Sequence, residues 1–403
     1  MSDAAPSLPP IPPRAWLTVA LLLSLQMVVQ GIISAGISIF DARIIDELGI
    51  GRGALKFRDF VQILASGAAG IAIGYLALRT PPSRLAKIGL ALLAVCLFLY
   101  SKVTSVWSIY AIHVLMGFSY SASHVVIVVL IVRQWFPRRQ PVAIGMTLAG
   151  ASLGMGLFPQ IIVRLLQEMD WRSAMISLAA FPLLYLPILI LLLRENPNAV
   201  VPAGAQEAAP AVPGAAPGLS LRARIVWLAL AAFGVFYAGP AFIMHTFLNL
   251  KDQNFSEQAA ATGVTVIFLT GLCGKFFSGF LAEKWRTRRV WLAHQVLMLT
   301  GAVLLTAFGA DFVWTGLACL GFGWGGCFSL TQVMTAEQFS GAMLGRLTGW
   351  FIAFEGIGSG SGSWLTGVMF DRFQSYNVPF TVCIVLICVS IVATVLLGRQ
   401  KAR

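Results

Sequence analysis

The sequence predicts an all-α membrane protein with twelve transmembrane helices in two pseudo-symmetric six-helix halves. Three observations carry that prediction. Of 403 residues, 58% are hydrophobic and 11% charged, with a mean hydropathy of +0.83; a soluble domain carries roughly 25% charge, the polar surface it needs in water. The apolar residues are gathered into runs long enough to cross a bilayer. The second set of runs repeats the first.

The runs fall near 15–40, 57–78, 84–101, 107–133, 140–165, 172–194, 224–250, 260–283, 289–309, 312–336, 345–370 and 378–398. Most suffice for a hydrocarbon core of about 30 Å at 1.5 Å rise per residue. The third is the shortest. The first is too long for the apolar stretch of a cleaved signal peptide, and the segment before it, SLPPIPP, is polar and Pro-rich, so 1–14 reads as a cytoplasmic tail. Eighteen of the 28 Lys and Arg fall on the side of the N-terminus and nine on the other, with Lys275 left inside a span. That bias places both termini in the cytoplasm of a plasma (bacterial inner) membrane protein. Trp16, Trp107, Trp135, Trp171, Trp227, Trp291 and Trp314 stand at run ends, as interfacial aromatics do.

Residues 195–223 break the pattern. This stretch is rich in Ala, Pro and Gly, cannot build a core, and reads as a cytoplasmic linker between halves 15–194 and 224–398, with 399–403 as a short cytoplasmic tail. At an offset of 204, Gly67 matches Gly271, Gly70 matches Gly274, Gly117-Phe118 matches Gly321-Phe322, Tyr120 matches Trp324, and Gly154 and Gly156 match Gly358 and Gly360. Two repeated halves suit a transporter that rocks about a central site.

These features resemble the major facilitator superfamily over essentially the whole chain. The loop GFLAEKWRTRR, with Gly279, Glu283 and Arg286, is similar to that superfamily's cytoplasmic gating signature, whereas the matching GYLALRTPPSR has Leu78 where the acid belongs. A narrower resemblance is to the monocarboxylate porter and oxalate:formate antiporter group. It rests on WFPRRQPVAIGMTLAGASLG, LKDQNFSEQAAATGVTVIFLTGLCGKFFSGFLAE, GFGWGGCFSLTQVMTAEQF and GVMFDRFQSY. That group usually carries Arg where this chain has Lys275, which keeps the charge but loses the bidentate fork. Human-type members add an Asp where Gly271 stands, so an Asp/Arg proton relay is not supported. Gly154 is followed by Met-Gly rather than Gly-Pro, leaving the antiporter signature incomplete.

Lys275 is the leading site candidate. It lies about 12 Å along the axis from the inner end of helix 8, where a cation costs at least about 2.5–3.5 kcal/mol and needs a partner. It reads as a dock for a substrate carboxylate; the plainer alternative is a structural ion pair. Glu355, about 15 Å into helix 11, is open to two readings, proton coupling or a fixed pair with Lys275. His245 stands where the subgroup often has His, as a donor to a carboxylate or a pH sensor. His124 and His113 are further proton-coupling candidates, or simply helix-contact histidines; His113 precedes Gly117 by four residues, where many proton-coupled members have Arg. Tyr120, Trp324 and Tyr237 could contact the substrate's apolar body or serve as packing. Asp41, Arg43, Lys56, Arg58 and Asp59 read as a solvated salt-bridge patch in the first outer loop, with an anion-attracting collar as the alternative.

The charge of +12 sits in short loops, which argues against nucleic acid. No two histidines have metal-ligand spacing on one helix, so no metal is expected. The six cysteines lie in apolar runs without a Cys-x-x-Cys pair and read as packing residues. Absence of a P-loop, a Gly-x-Ser-x-Gly elbow or His-Glu-x-x-His argues against an ATP-driven pump or an enzyme. No cofactor and no obligate protein partner is implied. The leading expectation is secondary transport of a small organic anion, a monocarboxylate, with the proton as a coupling ion. The alternative is proton-exchanging efflux of amphipathic or cationic compounds, with Glu355 as the site; a non-transporting membrane sensor is a third.

Overall fold

The computed structural model describes residues 12–136, 139–197, 220–339 and 341–398. Most of the expected linker and N-terminal tail, all of the expected C-terminal tail and Arg138 lie outside them.

Among the described residues, twelve long helices follow in chain order: α1 (Pro13–Leu48), α2 (Arg52–Leu76), α3 (Pro82–Tyr100), α4 (Val106–Trp135), α5 (Gln140–Glu168), α6 (Trp171–Leu192), α7 (Leu221–Asp252), α8 (Glu257–Lys284), α9 (Thr287–Ala307), α10 (Val313–Gln338), α11 (Gly341–Phe373) and α12 (Asn377–Leu397). Eleven of these, with α10 counted from Gly309, are long and apolar enough to cross a membrane; the twelfth, α11, is 33 residues long. The third run is a full helix of 19 residues.

Local chemistry sets the ends. Pro13 and Pro82 open α1 and α3, where a missing N–H costs nothing. Ser105, Asp170, Ser220 and Ser256 cap α4, α6, α7 and α8 through their side-chain oxygens. Bonds from Ser173 and Arg172 hold the Asp170 carboxyl below its usual pKa. Gly49, with φ of 60°, turns the chain out of α1.

Two helices are irregular inside the bundle. α1 passes through a π turn at Ile32–Gly36 and a 3-10 turn at Ile37–Phe40. α4 breaks at His124, whose backbone is extended (φ −96°, ψ −166°), into Val106–Ser123 and Val125–Trp135.

The repeat is carried into packing. Gly117 of α4 presses on α2, and its mate Gly321 of α10 presses on α8; Gly154 of α5 meets α1, and its mate Gly358 of α11 meets α7. Across the halves, α2 packs on α11 and α5 on α8. Three of the tryptophans at run ends are covered by protein. Trp291 is fully buried, Trp171 donates its indole N–H to Glu47, and Trp135 donates to the Arg194 carbonyl.

The halves close on each other at the end away from the linker and separate toward the linker end. The bonds between them run from Arg43–Glu257 and Arg52–Asp252 at the far end down to Lys275–Ser152. Among the described residues, none crosses on the linker side of that last pair. There Gly67, Gly70, Gly74, Gly145, Gly279 and Gly349 have open space where a Cβ would stand.

Candidate functional site

Lys275 sits on α8, about 14 Å from its linker-side end at 1.5 Å per residue. Its ammonium crosses to the first half and donates to Ser152 Oγ of α5 at 3.0 Å. It also lies 5.2 Å from the centre of the Phe328 ring on α10, an aromatic face that attracts a cation. Among the described residues no carboxylate is within ion-pair distance of it. The expected fixed pair with Glu355 is therefore not formed. A cation held in the bundle by a hydroxyl and a ring alone is short of one negative charge.

An aromatic wall stands beside it. Phe328 packs with Trp324 at 5.9 Å and with Phe236 of α7 at 5.9 Å, and Phe236 meets Trp324 edge-on at 5.3 Å. From the first half, Tyr120 stacks on His124 at 4.5 Å with its hydroxyl 3.4 Å from Nε2. Tyr120 and Trp324 are repeat mates, and so are His124 and Phe328, 204 positions apart. The structure thus joins Lys275 and Trp324 in one contact group, to which it adds Ser152, Phe236 and Phe328, and pairs Tyr120 with His124 in the first half. Nothing in the sequence marked those three, since a serine or phenylalanine in an apolar run has no signature of its own.

Glu355 of α11 is 6% exposed and accepts from Gln332 Nε2 at 2.9 and 3.2 Å. Gln332 is one helical turn from Phe328, which places the carboxylate toward the linker side of the aromatic wall. Tyr237 is buried, packs on Phe233, and closes its backbone against Gly362; it serves the α7–α11 contact. In the gating loop, Glu283 and Arg286 are exposed, and Gly279 has no neighbour.

His245 and His113 belong to the closed end. His245 donates from Nε2 to the Ser363 carbonyl at 2.8 Å and accepts at Nδ1 from the Tyr376 hydroxyl at 2.9 Å, so both nitrogens are occupied. His113 engages Gln62 at 2.9 Å and packs edge-on to Tyr100. Three of the five charges expected as a solvated patch are instead buried, Asp41 and Lys56 at 0% exposed and Arg58 at 1%, while Arg43 and Asp59 are half-buried. Lys56 meets Asp41 at 2.6 Å, Arg58 pairs with Asp41 and with Asp59, and Tyr100 accepts from Arg58 at 3.0 Å. Two acids and two bases cancel inside the fold, which is what allows them to leave water. The cluster also grips the other half. Lys56 donates to the Met244 carbonyl at 2.7 Å and Ser363 donates to Asp59 at 2.7 Å.

Arg52 completes this closure. Its guanidinium forks onto Asp252 at 2.6 and 2.7 Å, donates to Tyr376 at 2.8 Å, and lies 3.7 Å from the Phe370 ring. Asp371 of α11 accepts from the first backbone N–H groups of α2, those of Arg52 and Gly53, at 2.8 and 2.7 Å. One half thereby caps a helix of the other.

Twelve spans in two repeated halves, meeting at α2–α11 and α5–α8 around a charged centre, define a polytopic carrier architecture. The family model described as Major Facilitator Superfamily matches residues 19–325 and 249–403, and the chain belongs to that family. It is 28% identical over 273 residues to mouse (Mus musculus) "Monocarboxylate transporter 11", covering 62% of this chain and 58% of that protein. It is 24% identical over 234 residues to "Uncharacterized MFS-type transporter YhjX" of Escherichia coli K12, covering 57% and 56%. The chain thus spans a little over half the length of these curated relatives. Among solved structures, a D-xylose-proton symporter superposes with a TM-score of 0.74 at 13% identity over 95% of this chain and 97% of that one. The nucleoside transporter NupG superposes at 0.72 and 14% identity over 96% and 100%. These likenesses concern the fold.

Proposed function

We propose that the protein is a secondary transporter of a small organic anion, a monocarboxylate, working by alternating access with its linker end in the cytoplasm. The observation that carries this reading is Lys275, a cation in the bundle interior whose partners are a hydroxyl and a ring face. A substrate carboxylate supplies the missing charge, and the wall of Phe236, Trp324 and Phe328 receives an apolar body. The likeness to a protein named as a monocarboxylate transporter supports the same class. Excess Lys and Arg on the linker side support the orientation. In this state the far end is shut by the Arg52 and Asp371 contacts and the site opens toward the linker end. Rocking would break those contacts and close the other side. The proton is proposed as the coupling ion, with Glu355 as carrier. Its one neutral amide partner leaves the carboxylate free to exchange a proton without breaking an ion pair.

The test is ligand-induced thermal stabilisation of the purified protein with acetate, butyrate, benzoate, succinate and the lipophilic cation tetraphenylphosphonium, at pH 5.5 and 7.5. A ligand that binds only the folded state raises the melting temperature. Stabilisation by a monocarboxylate that is lost in Lys275→Ala is the expected result. Stabilisation by the cation alone, abolished in Glu355→Gln, would replace this reading with efflux of amphipathic cations.

A further inference from the structure

We propose that the substrate carboxylate inserts into the bond between Lys275 and Ser152, so that the Ser152 hydroxyl of α5 is its second ligand, contributed by the opposite half. This rests on the anion reading above and adds to it the group that shares the carboxylate with the ammonium.

Packing fixes where Ser152 stands. Gly150 and Gly154 of α5 lie on the backbone of α1, at Leu23 and Met27. Ser152 is two residues from each, about half a turn round the helix, and so faces the other way, toward α8. One turn further along that face, the Gly156 carbonyl accepts from Thr265 of α8 at 2.7 Å. α5 is thus wedged between α1 and α8, with Ser152 at the last bond between the halves before the opening. α8 runs from the far end toward the linker end, and helical side chains lean toward the N-terminus of their helix. The Lys275 stem therefore points back into the bundle, onto Ser152.

The hydroxyl at this place is only half used. Its oxygen accepts from the ammonium at 3.0 Å, and its proton has no acceptor among the described residues. Other hydroxyls in the spans give their proton to the carbonyl one turn back: Thr147 to Ala143, Thr262 to Gln258, Thr270 to Val266 and Thr331 to Cys327, at 2.9, 2.8, 2.7 and 2.8 Å. Ser152 makes no such bond, although it is 1% exposed, and a buried donor left unmet is costly. A buried donor thus stands beside a cation that lacks a counter-charge. A carboxylate is acceptor-only, with two oxygens on one carbon, and can take one bond from each. A hydroxyl suits this place because it is donor and acceptor at once. Toward the ammonium it accepts; toward an anion it donates, after rotation of the O–H alone. The flexible stem of Lys275 lets the ammonium step aside to admit the carboxylate. The tie between the halves then runs from Lys275 through the carboxylate to Ser152.

The test uses the full chain in detergent and, as probe, whichever of acetate, butyrate and benzoate stabilises the wild type most. Ser152→Ala is expected to bind the probe at least tenfold more weakly at unchanged ligand-free melting temperature. Were Ser152 only a resting place for the ammonium, the same change would free Lys275 and tighten the probe. Should Ser152→Ala not fold, Ser152→Cys keeps the size and puts a weak S–H donor in place of the hydroxyl, with the same tenfold loss expected. Difference infrared spectra at saturating probe, isotope-labelled at its carboxyl carbon, report the bonds to the carboxylate itself. Its stretching bands are expected to shift between the wild type and the Ser152 variant. Unchanged or tighter affinity, or unmoved bands, would overturn the inference. Loss of binding in Lys275→Ala would meanwhile keep the anion reading intact. Failure of every carboxylate on the wild type removes both.

Discussion

Charged side chains inside this bundle divide by whether they are already answered. Arg58 is answered: Asp41, Asp59 and Tyr100 surround it. Removing it leaves two buried carboxylates to Lys56 alone, so Arg58→Ala should destabilise the protein by about 3–5 kcal/mol, read as a lower thermal midpoint in detergent with or without ligand. Lys275 is unanswered, so Lys275→Ala should cost little stability and most of the ligand response. Opposite outcomes at these two cations are the residue-scale signature of structure against function. The sequence separates them only in part. Lys275 and Glu355 stand out because a charge in an apolar run is conspicuous. The Asp41–Asp59 group was misread because it flanks the turn GIGRG, and spacing along the chain does not show that four charges cancel in space. Ser152 and Gln26 carry no signal at all, since single polar residues are common in helical spans.

At the scale of elements, the spans were legible because lipid demands long apolar runs and Lys and Arg mark their ends. The break in α4 was not, since no proline or glycine stands at Ser123 or His124; the Ser123 carbonyl at the break accepts from Gln26, a residue 97 positions away. The cap on α2 was equally hidden, with donor and acceptor more than 300 residues apart. That cap exists only while the far end is shut. Asp371→Ala should therefore weaken this one state by about 0.5–2 kcal/mol, the cost of a lost helix cap. Spin-label distances between the far ends of α2 and α11 should then lengthen in a larger share of molecules. An unchanged distribution would mean that Arg52 and the buried cluster hold the closure without it.

For the whole molecule, the repeat and the contacts between halves define where motion must occur. Gly53 lies against Val368, and Gly367 against the Arg52 backbone, so the far ends of α2 and α11 can part only as bodies. The contacts that part with them are Arg52–Asp252, Ser363–Asp59 and Lys56 to the Met244 carbonyl. A short cleavable cross-link between Arg52→Cys and Asp252→Cys should hold that end shut. Probe binding through the linker-side opening should survive, because Lys275 lies beyond the closure, while flux of the same probe in vesicles should stop and return on cleavage. Flux that persists with the cross-link complete would show that substrate passes without the far ends of α2 and α7 separating. The pathway would then have to open on the other side of the interface, between α5 and α8, where Gln160 donates to Thr265 at 2.9 Å.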